Sequence, residues 1–479
     1  MARMRVGVVL LVLMFATAAC GMRVSAARLA AARSGQHVSA GAGGGATGGD
    51  VGGTAADVAG AAGSSGGAGA GTSTGAATGG TGGGSASNPA AAVPSGGNGG
   101  ATDVGVTADS ITIGNVSTLT GPVPGIFEGA VLGTQAAVAY INSQGGIYGR
   151  QLKLIVRDDQ FDTGQNRAAT IDLIGKTFAF AGSFSLYDDA ALDQLKSSNV
   201  VDATYSLSEN RRALPNNFSV QPGHMGWRLG PLNYFKNKFP DAVTKVGAIY
   251  GDVPASVSSY QGWKAAAQSA GYKVVYERGF SPTETDFTAD VVRMRQAGVK
   301  MVYLTSADVR PTARLAKAMA QQNFTVDAFV SGGVAYDPNF LTLAGPAGNG
   351  VYSEQQMAMY DGEDASIPEV KLLDDWSAKV RPGYKPDLFA VFAWGSVRLL
   401  ADALKAAGPR ITRASVNDAI RKLGTYDVHG LLPPANPGTK APPTCYLLVK
   451  VNNGFARYDS PPQGFRCADG GYFQVPGAP

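Results

Sequence analysis

The feature that most constrains the fold is a regular alternation, from Ile111 onward, of short apolar runs with amphipathic stretches. Short apolar runs predict buried strands, and apolar residues spaced three or four apart predict helices that cover a sheet. Elements in this order are typical of a parallel sheet with helices packed on its faces. We therefore expect an α/β fold.

The predicted elements form two successive runs, which favour two doubly wound α/β lobes. In the first run we predict strands at 111–116, 151–157 and 178–181 and helices at 128–143 and 164–176. In the second run, after Pro222, we predict strands at 245–250, 272–278 and 301–305 and helices at 256–270, 286–296 and 310–322. Later helices at 368–380 and 387–407 lack intervening strands, so we expect the chain to return there to the first lobe.

Ligands of doubly wound sheets bind outside the carboxyl ends of the strands. Two such lobes that face each other therefore define a cleft, which is lined by the turns that follow the strands. These turns are residues 117–127, 182–189, 204–210, 251–256 and 306–310.

The chain preceding the predicted lobes has a different composition. Residues 41–100 contain 24 of the 65 glycines, no aromatic residue and no Lys or Arg. Such a segment cannot bury enough apolar surface to offset the entropy of ordering it, which predicts a flexible linker. The folded part should therefore begin near Asp103.

The N-terminus predicts export. Arg3 and Arg5 precede an apolar run at 6–15, and about ten apolar residues are too few for the roughly 20 of a membrane-spanning helix. We interpret residues 1–19 as a signal peptide, and no nearby segment as a membrane span.

The residues before Cys20 resemble a bacterial lipoprotein processing site. We expect Cys20 to carry lipid, so that residues 20–102 tether an extracytoplasmic protein to the outer face of the cell membrane. Thr17 stands where Leu is usual at such sites. Ordinary cleavage near Ala19, which would release a freely secreted protein, remains open.

The remaining two cysteines predict a disulfide. With Cys20 lipidated, Cys445 and Cys467 are an even pair in an oxidising compartment. They bracket residues 446–458, whose two apolar runs and Asn452-Asn453-Gly454 turn predict a β-hairpin. On the chain-entropy argument, closing this loop stabilises the fold by roughly 3 kcal/mol.

Charge and motif content exclude several functions. The whole chain has a net charge of +4, but five of its arginines lie within the first 33 residues. The predicted lobes are therefore nearly neutral and offer no broad basic surface for nucleic acid. His37, His224 and His429 lie far apart and show no zinc-site spacing, so we expect no metal and no cofactor. The absence of a nucleophile elbow or phosphate loop argues against an enzyme.

A series of short motifs spans residues 111–460. It comprises Ile111-Thr112-Ile113-Gly114, Leu119-Thr120-Gly121-Pro122, Tyr140-Ile141-Asn142, Gly145-Gly146-Ile147-Tyr148-Gly149-Arg150, Asp158-Asp159, Asp286-Phe287, Leu343-Ala344-Gly345, Gly350-Val351-Tyr352 and Leu399-Leu400-Ala401-Asp402-Ala403-Leu404. In this order the motifs resemble type I periplasmic binding proteins of the branched-chain amino acid (Leu/Ile/Val) transport class.

The resemblance implies a lipid-anchored, monomeric solute receptor that closes two lobes over a small molecule and presents it to an ABC permease, without covalent chemistry. The implied first lobe is 103–222 with about 357–435, and the second is 223–352 with about 440–475. Three crossings near 221–224, 352–359 and 433–445 would form the hinge.

The resemblance weakens at the ligand. In amino-acid-binding members, paired serines after the third strand hold the ligand carboxylate, but here Leu186 and Tyr187 stand at those positions and Asp188 and Asp189 follow. The position of the acid that binds the ammonium group falls at or near Gly333. An uncharged or aromatic solute is therefore favoured, and an α-amino acid stays open.

Aromatic and hydroxyl side chains at the predicted strand ends are the candidate ligand-binding residues. They are Phe127, Ser183, Phe184, Ser185, Tyr187, Tyr205, Ser206 and Ser208 from the first lobe, and Tyr250, Asp252, Ser306 and Tyr336 from the second. This lining suits an amino acid-like, amide or aromatic solute. A ligand-sensing or protein-interaction module on the same fold, without a transport role, is the alternative.

Overall fold

The first lobe is built on a four-stranded parallel sheet. The computed structural model describes residues 92–478, so the predicted signal peptide, Cys20 and most of the predicted linker lie outside the described residues. The strands are β1 (Ser110–Ser117), β2 (Gln151–Asp158), β3 (Ala179–Ala181) and β4 (Val201–Ala203), in the order β2-β1-β3-β4. The central strand β1 is buried along most of its length, as expected for a parallel strand covered on both faces.

Helices cover both faces of this sheet. They are α1 (Glu128–Ser143), α2 (Thr163–Ile174), α3 (Leu192–Ser198) and α4 (Glu209–Arg212). Leu173 of α2 and Leu195 of α3 pack with Phe180 of β3 in a small core on one face. The helix α1 belongs to the larger core on the other face.

The second lobe is built on a seven-stranded sheet. Its strands are β6 (Val246–Gly251), β7 (Val274–Phe280), β8 (Met301–Thr305), β9 (Ala328–Gly332), β10 (Val351–Gln355), β11 (Leu447–Val451) and β12 (Phe455–Arg457), in the order β12-β11-β10-β9-β8-β6-β7. Strands β6 to β10 are parallel to one another, whereas β11 and β12 join as an antiparallel hairpin. The predicted hairpin is therefore confirmed.

This sheet is also covered on both faces. Its helices are α5 (Leu229–Lys238), α6 (Pro254–Ser269), α7 (Thr288–Gln296), α8 (Val309–Gln321) and α9 (Pro338–Ala344). Trp263 of α6 and Phe235 of α5 lie in the core on one face. Met294 of α7 and Leu315 of α8 lie in the core on the other face.

Three later helices return to the first lobe. They are α10 (Pro368–Val380), α11 (Leu388–Ala407) and α12 (Arg413–Lys422). The long helix α11 is almost wholly buried and packs against α1, where Gly133 meets the backbone of Ala390 so closely that no side chain fits. Helix α11 therefore contacts the first lobe through α1.

A short antiparallel pair lies where the chain passes between the lobes. It consists of β5 (Gly226–Arg228) and β13 (Tyr472–Gln474), with Arg228 opposite Tyr472. Gly226 passes so close to the carbonyl oxygen of Phe473 that a Cβ would collide with it. The disulfide Cys445–Cys467, which the cysteine count predicted, attaches the C-terminal segment that carries β13.

The predicted alternation of strands and helices agrees with the structure to within a few residues. The sequence pattern missed α3, α4, α5, α9 and α12, the five-residue strands β9 and β10, and the three-residue strands β4, β5 and β13. These elements are too short or too polar to show a clear period. Within residues 92–478, no helix has the length and apolar character needed to cross a membrane.

Candidate functional site

A cavity of about 170 Å³ lies between the two lobes, next to the β5–β13 pair. We call it the interlobe cavity and define it by Tyr205, Gln221, Trp227, Arg228, Ser306 and Phe389, which line it together with their neighbours. Three of the five predicted cleft turns, 204–210, 251–256 and 306–310, contribute to its wall. The strand ends of both lobes therefore meet at one space, as doubly wound sheets require.

One wall of the interlobe cavity is aromatic. The ring of Tyr205 stacks on Phe392 of α11 with 4.3 Å between ring centroids and 12° between planes. Phe389, one turn earlier on α11, also lines the cavity. On the second lobe, the indole of Trp227 meets the ring of Tyr303 edge-on. Such flat apolar surfaces suit the body of a small organic molecule.

The rest of the wall is polar, and many of its polar atoms have no hydrogen-bond partner within residues 92–478. Buried side-chain nitrogen or oxygen atoms without a hydrogen-bond partner occur on the lining residues Glu209, Arg212, Gln221, Arg228, Ser258 and Thr305. A buried polar group without a partner costs free energy, so native structures rarely collect several of them in one place. Their concentration here indicates a surface built to meet a polar guest.

The charged groups of this wall differ in their surroundings. Glu209 forms an ion pair with Arg212, one helical turn away on α4, and its second oxygen has no partner in the described part of the chain. Burial raises the pKa of the Glu209 carboxyl, and Arg212 opposes that rise. Arg228 takes part in no ion pair within 4.0 Å among the described residues.

A buried carboxyl lies behind the aromatic wall. The indole nitrogen of Trp227 donates to Oε2 of Glu354 at 3.2 Å, and Oε1 has no partner among the described residues. Burial raises the pKa of Glu354 to about 7, while the charge of Arg228 opposes the rise. Near neutral pH the carboxyl is therefore only partly ionised.

Three of the twelve candidate ligand-binding residues line the interlobe cavity: Tyr205, Ser206 and Ser306. The hydroxyl of Ser206 accepts a hydrogen bond from the side chain of Asn217 at 3.1 Å. The hydroxyl of Ser306 accepts one from the backbone of Asp308 at 3.0 Å. Both hydroxyls thus already have partners, and ligand contact by these three residues stays a prediction.

The turn at 182–189 is occupied by its own hydrogen bonds. Ser183 Oγ accepts from the backbone of Val116 at 3.1 Å, and Ser185 Oγ donates to the carboxylate of Asp159. Tyr187 packs edge-on against Phe161, outside the interlobe cavity. The hydroxyls of Ser183 and Ser185 are therefore engaged in attaching the turn to neighbouring segments of the first lobe.

The acidic residue that follows this turn is engaged as well. Asp188 accepts backbone hydrogen bonds from Leu207 at 2.7 Å and Ser208 at 3.2 Å, and so ties the turn at 182–189 to the turn at 204–210. Burial is the main cause that raises the pKa of Asp188, although Arg211 opposes it. Asp188 therefore holds these two turns of the first lobe together.

Two further candidates are core residues of the first lobe, and Ser208 caps a helix. Phe127 and Phe184 are fully buried and pack together with Phe389. The hydroxyl of Ser208 accepts from the backbone of Arg211 at the start of α4. None of these three lines the interlobe cavity.

The remaining second-lobe candidates also lie away from the interlobe cavity. Tyr250 stacks on Tyr260 at a centroid distance of 4.2 Å. Asp252 is exposed at the end of β6. Tyr336 is fully buried, and its hydroxyl donates to Glu363 at 2.5 Å. Of these candidates, none is brought to the polar wall of the cavity.

Gln221, Trp227 and Arg228, which sequence analysis missed, line the cavity from the segment that joins the lobes. This segment carries no periodic pattern, so its residues could not be placed by spacing. The signal that could have found them is the expected crossing near 221–224, where polar residues must lie between the two lobes.

A second, smaller cavity receives the other predicted turns. Val123, Ile126 and Leu186 line it from the first lobe, opposite Val253 and Ser306 from the second. Its lining is largely apolar. No group of three or more His, Cys, Asp or Glu side chains among residues 92–478 is arranged to hold a metal ion.

Known proteins resemble this chain over most of its described length. The sequence profile of a family described as periplasmic binding protein matches residues 110–456. The Leu/Ile/Val-binding protein homolog 2 of Brucella abortus is 25% identical over 310 residues, which are 64% of this chain and 80% of that protein. An amino acid binding protein of Pseudomonas aeruginosa is 25% identical over 293 residues, covering 58% of this chain and 73% of that protein.

Solved structures share the fold. A fatty acid ABC transporter substrate-binding protein from Thermomonospora curvata has a TM-score of 0.65 and 21% identity, covering 77% of this chain and 95% of that one. A leucine-binding protein from Thermotoga maritima has a TM-score of 0.61 and 18% identity, covering 73% and 97%. Identities this low bear on the fold alone, and the two-lobed α/β architecture expected from the sequence is confirmed.

Proposed function

The chain belongs to the periplasmic binding protein family, and from this premise we propose that it captures a small molecule between its two lobes and delivers it to an ABC transporter. The observation that carries this proposal is the interlobe cavity, where strand ends from both lobes meet and several buried polar atoms lack partners. A guest that touches both lobes favours the closed arrangement of the hinge. The solute is released unchanged, so the chain is a receptor and has no enzymatic activity.

The solute we propose is amino acid-like, an amide or aromatic. The names of the relatives support the first class, because the matched proteins of Brucella abortus and Pseudomonas aeruginosa are named for binding Leu/Ile/Val and amino acids. The stacked rings of Tyr205 and Phe392 support an apolar or aromatic body. A monomer suffices for this function, because both walls of the cavity come from one chain.

We assign residues 103–222 with about 357–435 to the first lobe and 223–352 with about 440–475 to the second. The two sheets support this division, because β1 to β4 lie within Ser110–Ala203 and β6 to β10 lie within Val246–Gln355. The interlobe cavity lies beside the segments that join them, since Gln221, Gln356 and Pro443 all line it.

We further propose that the protein is extracytoplasmic and anchored to the membrane by lipid on Cys20. Support comes from the residues before Cys20 and from the family, whose members are named for the periplasm. Replacing Cys20 by Ser should move the protein from the membrane fraction to the soluble fraction. Membrane association that survives the replacement would contradict lipid anchoring, and an unchanged unfolding temperature of C20S is the folding control.

Thermal unfolding tests the receptor function directly. The purified full chain should unfold at higher temperature with a solute that binds only the folded state, by RT ln(1 + [L]/Kd). A screen of amino acids, amides, aromatic acids and sugars should give at least one such shift, and the bound solute should be recovered chemically unchanged. If every compound leaves the transition unmoved, the transport proposal fails and the sensing or protein-interaction alternative becomes the better reading.

A further inference from the structure

We propose that Arg228 receives the carboxylate of the solute, so that the interlobe cavity selects small organic carboxylates over their neutral counterparts. The inference rests on the proposed receptor function and narrows it to a chemical class of ligand. It assigns the anion-binding role to the segment that joins the lobes, away from the turn at 182–189.

The burial and the hydrogen bonding of the Arg228 side chain support this assignment. The residue is only 5% exposed and lines the interlobe cavity. Its Nε and Nη2 atoms have no hydrogen-bond partner among the described residues. A guanidinium remains charged at any physiological pH, so a buried one with two unpartnered donor nitrogens is costly unless a counter-charge reaches it.

The acidic groups of the protein near Arg228 do not neutralise it by contact. Glu209 is already paired with Arg212. Glu354 is held by Trp227 and is only partly ionised near neutral pH because of its burial. Neither carboxylate lies within 4.0 Å of the Arg228 guanidinium nitrogens as an ion pair, so a contact for an anionic guest is left open.

The backbone that carries Arg228 is held in place before any solute binds. Arg228 ends strand β5 and lies opposite Tyr472 of β13, and both side chains line the cavity. The pairing fixes the backbone from which the guanidinium extends, which lowers the ordering cost of binding. Since β13 lies beyond residue 456, this support is contributed by chain outside the family match.

The lining of the interlobe cavity is complementary to a small organic carboxylate. The planar guanidinium presents parallel N–H donors that fit a carboxylate in two-point contact. Tyr205 and Phe389 line the same cavity and offer an apolar surface. The cavity volume of about 170 Å³ limits the guest to a small molecule. A small carboxylate with an apolar body satisfies both walls.

Stability without any ligand separates a binding role from a structural one. The variants are Arg228→Met and, as the matched control, Arg211→Met, whose arginine is equally buried but bonded to Asp202. The full chain with R228M should unfold at the same temperature as the wild type or above it, whereas R211M should unfold at least about 5 °C lower. A fall for R228M as large as that for R211M would overturn the proposal, because Arg228 would then be a structural residue.

Matched probes test the ligand class. The carboxylates phenylacetate, octanoate and L-leucine are compared with phenylacetamide, octanamide and L-leucinamide, and phenyl phosphate is added as a different anion. We expect at least one carboxylate to raise the unfolding temperature of the wild type, its amide partner not to do so, and R228M to bind that carboxylate at least about 30-fold more weakly. Arg228→Lys, which keeps the positive charge but loses the two parallel N–H donors of the guanidinium, should weaken binding of that carboxylate about tenfold.

Several outcomes would overturn the assignment while leaving the receptor function intact. These are binding of an amide as tight as that of its carboxylate, binding of phenyl phosphate alone, and carboxylate binding that R228M leaves unchanged. Failure of all carboxylates also overturns it. The receptor function itself fails only when the wider screen of solutes gives no shift.

Discussion

Arg211 and Arg228 are both buried, but their surroundings are opposite. Arg211 is 1% exposed and donates two hydrogen bonds of 2.9 Å to the carboxylate of Asp202. Arg228 is 5% exposed and has no such partner. Burial of a charged side chain alone therefore does not reveal its role, whereas the presence or absence of an oppositely charged partner does.

The same contrast separates two polar regions of the molecule. The turn at 182–189, where family resemblance placed the carboxylate site, uses Ser183, Ser185 and Asp188 to bond to neighbouring segments of the first lobe. The polar wall of the interlobe cavity, with Gln221 and Arg228, leaves buried atoms unpartnered. The polar groups of the turn are satisfied within the protein, whereas several of those of the cavity wall have no partner within residues 92–478. This difference indicates that the cavity wall binds a ligand.

The largest expected effect is the loss of stability when the ion pair between Arg211 and Asp202 is removed. Replacing Arg211 by Met leaves the buried carboxylate of Asp202 without its counter-charge, which should lower the free energy of unfolding by about 3 to 5 kcal/mol. Denaturant unfolding of the full chain measures this loss. A loss below about 1 kcal/mol would mean that the Arg211–Asp202 pair is not the structural element we take it for.

The next effect concerns the link that holds the C-terminal segment beside Arg228. The disulfide Cys445–Cys467 closes a loop with a sequence separation of 22, so replacing both cysteines by Ser should cost about 3 kcal/mol of unfolding free energy. Denaturant unfolding measures the change. A reducing agent should lower the wild-type stability by a similar amount and leave the double variant unaffected, and equal sensitivity of both would contradict the assignment.

A third effect tests the buried carboxyl behind the cavity. Burial raises the pKa of Glu354 from 4.5 to about 7, so the folded state holds this proton more tightly than the unfolded state. The resulting stability is fully present below pH 4.5 and is lost as the pH rises through about 7. Glu354→Gln should not show this loss, so its stability relative to the wild type should rise by on the order of 2 kcal/mol between pH 5 and pH 8.

Unfolding curves at the two pH values check this result. The matched control is Glu277→Gln, which removes only a half-buried ion pair with Lys264 and should change stability by less than about 1 kcal/mol. A relative stability of E354Q that stays constant, or falls, between pH 5 and pH 8 would contradict the expected direction.

The smallest effect compares two tyrosines. Tyr472, in the cavity wall, donates its hydroxyl to the carbonyl oxygen of His224 at 2.6 Å, and Tyr148, remote from the cavity, donates to that of Lys405 at 2.6 Å. Replacing either by Phe should cost about 1 kcal/mol of stability, measured by unfolding. Binding of a cavity probe, measured by calorimetry, should weaken in Y472F and not in Y148F, and equal affinities in both variants would remove Tyr472 from the site.

Sequence patterning predicted the fold well where elements were long and periodic. The strands around Ile113 and Val302 and the helix α11 were predicted close to their observed bounds, because alternation and helical spacing of apolar residues follow directly from burial. The resemblance to type I periplasmic binding proteins of the branched-chain amino acid class is confirmed by the family match and by the shared fold. The disulfide also followed from cysteine number and compartment.

The candidate site was predicted less well. Tyr205, Ser206 and Ser306 reach the interlobe cavity, whereas Phe127, Phe184 and Tyr336 lie in the core. An aromatic residue at a strand end gives the same local pattern whether it faces a cavity or a neighbouring helix. The choice depends on the position of α11, which follows in sequence more than a hundred residues after the strands that it covers.

Two α/β lobes and the pairing of Cys445 with Cys467 are predictable from the amino-acid sequence, because these properties depend on local periodicity and composition. Which polar groups have partners becomes visible only in the folded chain. Asp202 lies nine residues before Arg211 and pairs with it, whereas Arg228 is brought beside Tyr472 across 244 positions and meets no carboxylate of the described residues at contact distance. Partnership of buried charges depends on where distant segments come to rest, so it appears only when the chain is folded.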